Sequence, residues 1–228
     1  MLFNRIKMQK LFVVIFLCTL VFSVKAQEEA NIIDVDYKYN REAASYNDKG
    51  FTLMQEKNYD EAKTYFEKAI SIDPSNITYF ENLGLNLKKM KDFEGMLANY
   101  EDAIKSFPEE PDLYYYRGDA LQELERYEEA LKAYSEAIKV SGDDEEVEYL
   151  YLYYFNRGNT YLKMKQYRAA LKDFNRTIDL EPYYHGAFNN RGFAKLKLQD
   201  KRGACDDWSK ALELGNKTVS KYIVKYCN

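Results

Sequence analysis

Histidine is nearly absent from this chain: His185 is the only one in 228 residues. An acid–base pair built on imidazoles, or a histidine-rich metal site, needs more than one. His185 lies between Tyr184 and Gly186, where an ordinary turn contact is expected. The patterns GxSxG, HExxH, GxxxxGKS/T and GxGxxG are missing as well, which removes the nucleophile elbow, the zinc-protease helix, the P-loop and the dinucleotide turn. Adjacent carboxylates at Glu109 and Glu110, or at Asp206 and Asp207, fall at helix starts or on wet faces, and a glycosidase pair needs a cleft between its two acids. No catalytic residue, no metal ligand and no cofactor is therefore expected.

Basic charge is also short. Lys and Arg number 33 against 37 Asp and Glu, for a net charge of -4, so the chain lacks the footprint that binds a phosphate backbone or an anionic membrane surface. Long apolar runs are lacking apart from Leu11 to Val24, whose 14 residues fall short of the ~20 that span a bilayer. With Arg5, Lys7 and Lys10 before this run and small residues, Val24 and Ala26, at the two positions a signal peptidase reads, residues 1–26 read as a signal peptide cut before Gln27. Phe16 and Leu17 precede Cys18 where a lipidation signal wants small residues, so Cys18 is expected to leave with the leader. The leader holds four basic and no acidic residues, so cleavage moves the net charge from -4 to -8. The expected mature chain is exported, periplasmic or secreted, with no membrane insertion after cleavage.

Two cysteines remain, Cys205 and Cys227, without a CxxC spacing. An antiparallel arrangement of helices at 201–213 and 217–226 brings the start of one beside the end of the other. In an oxidising compartment the pair is expected to form a structural disulfide, contributing roughly 3 kcal/mol in the chain-entropy model.

Repetition is abundant. Glycines at 50, 84, 118, 158 and 192 are separated by 34, 34, 40 and 34 residues. Twelve residues after each stands Ala62, Met96, Ala130, Ala170 or Ala204. Sixteen after stands an aromatic, Phe66, Tyr100, Tyr134, Phe174 or Trp208, and nineteen after stands Ala69, Ala103, Ala137, Thr177 or Ala211. Pro74, Pro108 and Pro182 close three copies, with Gly142 and Asn216 in the same slot of the others. Small residues let two antiparallel helices approach while the aromatic fills the wedge between them, and proline ends the pair. One such hairpin cannot bury its apolar face alone, so the units must stack.

This pattern resembles the tetratricopeptide repeat over roughly residues 43–216. The resemblance implies an all-α, right-handed α-α superhelix of five helical hairpins: 43–76, 77–110, 111–144, 151–184 and 185–216, with an insertion at 145–150. An arm at 27–42 precedes them, and a capping helix at 217–228 follows, with Val219, Tyr222, Ile223 and Tyr226 on its inner face. Helices are expected near 40–56, 59–71, 76–90, 93–106, 110–124, 127–140 and 167–179. The acidic stretch after Ser141 predicts a fourth A helix starting near Asp144 and running almost two turns longer than its counterparts. Lys195 stands where earlier copies carry Leu53, Leu87, Leu121 and Tyr161, which implies a looser last unit.

In this family the first helix of each unit lines a concave groove. By position, the resemblance assigns to that lining Asn47, Phe51, Glu81, Asn82, Leu85, Tyr115, Tyr116, Asp119, Phe155, Asn156, Asn159, Asn189 and Phe193. The family's clamp for a terminal carboxylate is missing: its five positions hold Asn47, Phe51, Asn82, Asp112 and Tyr116, and Asn82 alone fits. Tyr115, Tyr116 and Phe155 are the aromatics expected to reach a ligand. The closing GACDDW with YC near the terminus resembles exported bacterial members of the family. The expected role is a noncatalytic protein-interaction scaffold of the cell envelope, binding a peptide or helix. The runner-up is an accessory protein that binds carbohydrate or a cell-wall fragment. The sequence sets no oligomeric state.

Overall fold

The computed structural model describes residues 40–142 and 149–227. The expected leader, the arm up to residue 39 and the acidic stretch 143–148 lie outside the described residues. All regular structure is helical: α1 at 40–55, α2 Tyr59–Ile72, α3 Ile77–Met90, α4 Phe93–Ser106, α5 Pro111–Glu123 and α6 Tyr127–Val140. Then come α7 Leu150–Lys163, α8 Tyr167–Leu180, α9 His185–Lys197 and α10 Lys201–Glu213. A single 3₁₀ turn, Lys217–Val219, leads into the short α11, Ser220–Tyr226. No strand occurs among the described residues, and the expected all-α class is borne out. Odd-numbered helices up to α9 are the first, or A, helix of a unit; even-numbered ones are the second, or B, helix.

Each A-to-B turn is built the same way. Lys57, Lys91, Glu125, Lys165 and Gln199, seven residues after each marker glycine, take positive φ between 59° and 68°. The next residue's N–H then reaches back to the carbonyl of Leu53, Leu87, Leu121, Tyr161 or Lys195, at 2.8–3.0 Å. This is the left-handed cap that satisfies the open carbonyls of a helix end. A side chain in that conformation costs about 1 kcal/mol, so the turn is held by what it packs together.

The described chain divides within α3 into two compact units, one ending at Tyr79 and one beginning at Phe80. The first has a small core of Ala43, Ala69 and Tyr79, lined by Tyr46, Ile70 and Ile72, with Phe66 seated against Gly50. The second repeats that seating four times: Tyr100 on Gly84, Tyr134 on Gly118, Phe174 on Gly158 and Trp208 on Gly192. All five rings are nearly or wholly buried, as are the alanines beside them. Thr177 replaces one alanine without leaving its hydroxyl orphaned, because Oγ1 donates to the Asp173 carbonyl at 2.9 Å.

A second repeated device escapes the spacing argument. Arg157 grips Asp173 with two hydrogen bonds of 2.8 Å and donates a third to Ser135 at 3.0 Å. Arg191 does the same with Asp207, at 3.0 and 2.7 Å, and with Asn175 at 2.8 Å. Each guanidinium thus ties an A helix to its own B helix and to the B helix before it. Both aspartates are buried, and a bidentate fork is the geometry that makes burying such a pair tolerable.

Two expectations are corrected. The fourth A helix begins at Leu150, with Tyr149 as its cap, and has 14 residues like its neighbours; the expected start near Asp144 lies outside the described residues. The expected weak point at Lys195 is tied down, since its ammonium lies 2.9 Å from Asp207 and borrows the carboxylate already held by Arg191. At the far end, Tyr222, Ile223 and Tyr226 of α11 pack on Trp208, as a cap must if the last unit is not to leave apolar area exposed. Cys205 and Cys227 face each other there, with Cα atoms 5.7 Å apart.

Two stability predictions follow from the packing. A Cβ at Gly118 would meet the Tyr134 ring at 2.6 Å. Overpacking of about 1–3 kcal/mol then outweighs the ~1 kcal/mol gain in helix propensity. Gly118→Ala should lower the urea midpoint, and adding Tyr134→Leu should remove the further cost of the methyl. Asp173→Ala leaves Arg157 without its counter-charge and should cost about 3 kcal/mol, whereas breaking the exposed Arg126–Glu129 pair should leave the midpoint unchanged.

Candidate functional site

Within the second unit α5 touches α7 and α7 touches α9, while contacts between successive B helices are weaker. The stack is therefore tighter along its A side. Polar bonds about one turn apart hold α5 to α7 there. Tyr153 donates to Asp112 at 2.6 Å, Asn156 Nδ2 donates to the Tyr115 hydroxyl at 2.8 Å, and Thr160 lies 2.7 Å from Gln122 Oε1.

From this ladder an amide row runs on toward α9. Asn156 Nδ2 lies 3.4 Å from Asp119, and Asn159 donates to Asn156 Oδ1 at 3.3 Å. Asn190 then donates to Asn159 Oδ1 at 2.6 Å, and Asn189 to Asn190 Oδ1 at 2.8 Å. Asn156 and Asn159 stand three apart and so share a helical face. A carboxamide both donates and accepts, which is why asparagine can pass a bond along where aspartate or lysine would end the row. The row closes on Asn189 Oδ1, which is buried and has no donor among the described residues.

The other end of the face is acidic and rich in tyrosine. Asp119 accepts from Tyr134 at 2.9 Å and pairs with Lys88 at 3.1 Å. Burial still lifts its carboxyl above the usual range, with Lys88 and Tyr134 opposing. Burial likewise raises Glu81, helped by the charges of Asp112 and Glu110. Burial, then Asp112 and Glu81, push the Tyr116 hydroxyl up to about 12, and Tyr100, Tyr115 and Tyr153 move upward for the same leading reason. These hydroxyls stay protonated at physiological pH. The arrangement offers neutral donors and acceptors beside the carboxylates of Glu81 and Asp112, which is binding chemistry. Among the described residues no cluster of His, Cys, Asp or Glu is placed to hold a metal, and no helix is long and apolar enough to cross a membrane.

The structure brings part of the expected lining together. Tyr115, Asp119, Asn156, Asn159 and Asn189 join one bonded row, and Glu81 and Tyr116 lie in each other's field. Asn82 is half-buried and Leu85 is exposed on α3. Asn47, half-buried, and Phe51, exposed, lie on α1 in the first unit. Two aromatics are spent on packing instead: Phe193 sits 4.6 Å from Tyr222 and 5.4 Å from Trp208 under α11, and Phe155 sits 4.8 Å from Tyr184 and 5.9 Å from Phe174. Asp119 is likewise occupied by Tyr134 and Lys88. Asn190 was missed although it fills the same repeat position as Asn82, Tyr116 and Asn156. Lys88, Tyr100, Asp112 and Tyr153 gain their place only through contacts between helices.

Models of the tetratricopeptide repeat match residues 43–76 and 151–184, and a second model of the same description matches 82–145, together more than half of the chain. Among solved structures, PilF of Pseudomonas aeruginosa is similar at 22% identity and a TM-score of 0.66, over 79% of each chain. MamA of Desulfovibrio magneticus RS-1 is similar at 18% identity and a TM-score of 0.66, over 76% of this chain and 94% of its own. YrrB, described as a TPR protein with an unusual peptide-binding site, is similar at 21% identity and a TM-score of 0.63, over 84% of this chain and 97% of its own. No curated protein sequence matches. Five glycine-seated rings on paired helices, the family models and these likenesses agree: the chain belongs to the tetratricopeptide repeat family.

Proposed function

We propose that this protein is a noncatalytic, exported scaffold of the cell envelope that holds an extended peptide segment of another protein along its A helices. The observation that carries the reading is the amide row Asn156, Asn159, Asn190 and Asn189, bonded end to end on one face. Each carboxamide has two donor hydrogens and two acceptor lone pairs, so each keeps capacity after bonding its neighbour. A helix has already used its own backbone groups, whereas an extended segment presents free N–H and C=O groups to such a row. The peptide-binding site described for YrrB supports the same reading by likeness of fold. Export rests on the leader-like first 26 residues and on the facing pair Cys205 and Cys227, which we assign as a disulfide stapling the end of α11 to the start of α10.

A photo-crosslinking residue at Asn159 or Tyr116, expressed in cells, should capture one defined envelope protein. The same residue at Glu128, exposed on α6, should not. Asn156→Ala with Asn159→Ala should weaken capture by roughly ten-fold or more, the equivalent of one or two lost hydrogen bonds. Capture that persists in the double variant overturns the assignment of the face, and competition by cell-wall fragments but not by the captured protein's peptides favours the carbohydrate reading. In the same preparation the chain should begin at Gln27 and gain one hydrogen pair in mass on reduction; a chain retaining residues 1–26 in the soluble interior contradicts export.

A further inference from the structure

The acidic end of the A face contains a polar group that its surroundings do not use. Tyr100 is 2% exposed, yet its hydroxyl has no hydrogen-bond partner among the described residues. Its counterpart Tyr134 donates to Asp119, but the position equivalent to Asp119 in the unit of Tyr100 is Leu85, which accepts nothing. At Gly84 no Cβ obstructs the Tyr100 hydroxyl, so the group reaches the A side through the helix that would otherwise cover it. Tyr116 stacks on it with centroids 5.2 Å apart and planes 23° apart, and its hydroxyl also has no partner among the described residues. Glu81 and Asp112 act on both rings. Asp112 accepts from Tyr153 through one oxygen only. Among the described residues neither Glu81 nor Asp112 has a Lys or Arg within ion-pair distance, and Lys88 is taken by Asp119.

Resting on the peptide reading, we infer that Glu81, Asp112, Tyr100 and Tyr116 form a subsite for a lysine or arginine side chain of the bound segment. The two carboxylates supply the counter-charge. The hydroxyl oxygens of Tyr116 and of Tyr100, which reaches the A side at Gly84, accept from the cation, and the hydroxyl hydrogens are free to meet carbonyls of the same segment. A basic side chain brings the counter-charge that these two carboxylates lack, while an acidic one would add a third negative charge beside them.

The test uses the purified chain and fluorescein-labelled ten-residue peptides of alternating Gly-Lys, Gly-Arg, Gly-Ser and Gly-Glu, read by anisotropy. The Lys or Arg probe should bind about ten-fold or more tightly than the Ser probe, and the Glu probe not at all. Glu81→Gln with Asp112→Asn should remove that advantage, while the charge-matched exposed pair Glu94→Gln with Glu101→Gln should keep it. Tyr100→Phe, which deletes only the unused hydroxyl, should weaken basic-probe binding several-fold without lowering thermal stability. Equal loss in both charge pairs, or a Tyr100→Phe variant that is less stable but binds as before, overturns the inference. If the basic probes fail while crosslinking at Asn159 still captures its partner, the cation subsite falls and the peptide face stands; if both fail, the peptide face falls with it.

Discussion

The seating of one aromatic ring against one glycine is the contact on which everything else rests. It occurs at Gly50, Gly84, Gly118, Gly158 and Gly192, and at each the ring fills the space a side chain would take. Burying a ring and the alanines beside it recovers more free energy than the left-handed turn costs. The hairpin is stable only as closely as its two helices approach. That closeness also fixes how far the A helices of neighbouring units stand apart, and therefore which side chains meet across them.

Once the spacing is set, polar chemistry takes over the junctions. Arg157 and Arg191 lock three helices apiece through buried aspartates. Their removal costs more than a surface pair because an unmatched charge is left in a place water reaches poorly. On the A side the ladder from Asp112 and Tyr153 to Gln122 and Thr160 does the same work with one carboxylate and otherwise neutral groups. The face that results is stiff and mostly satisfied within itself. What it leaves unused is informative: spare amide capacity along the row, and an acidic, tyrosine-lined end whose Tyr100 and Tyr116 hydroxyls have no partner among the described residues.

The helices were legible in the sequence because glycine, alanine and proline at fixed offsets constrain the backbone directly. Helices α2 to α6 start and stop within one residue of their expected limits. The start of α7 at Leu150 was not legible, since Tyr149, its cap, carries none of the side-chain chemistry that marks a helix start. The Arg-Gly pairs at 117–118, 157–158 and 191–192 stand out in the sequence, but their partners sit 16 to 19 residues away on another helix. Aromatics were the least legible. Phe155 and Phe193 occupy groove positions by count and turn into packing because Tyr184 and Tyr222 stand beside them. Lys195 looked like a defect and is matched by Asp207. In each of these contacts the missing information was which side chains meet across two elements, which a list of repeat offsets does not contain.

The most direct measurement of the account is the spectrum of asparagine side-chain amides during titration with the captured partner's peptide. The NH₂ signals of Asn156, Asn159, Asn189 and Asn190 should shift together and exchange more slowly, with the B-helix Asn99 and Asn175 unmoved. Shifts concentrated on the B helices, with the amide row unchanged at saturation, would contradict it.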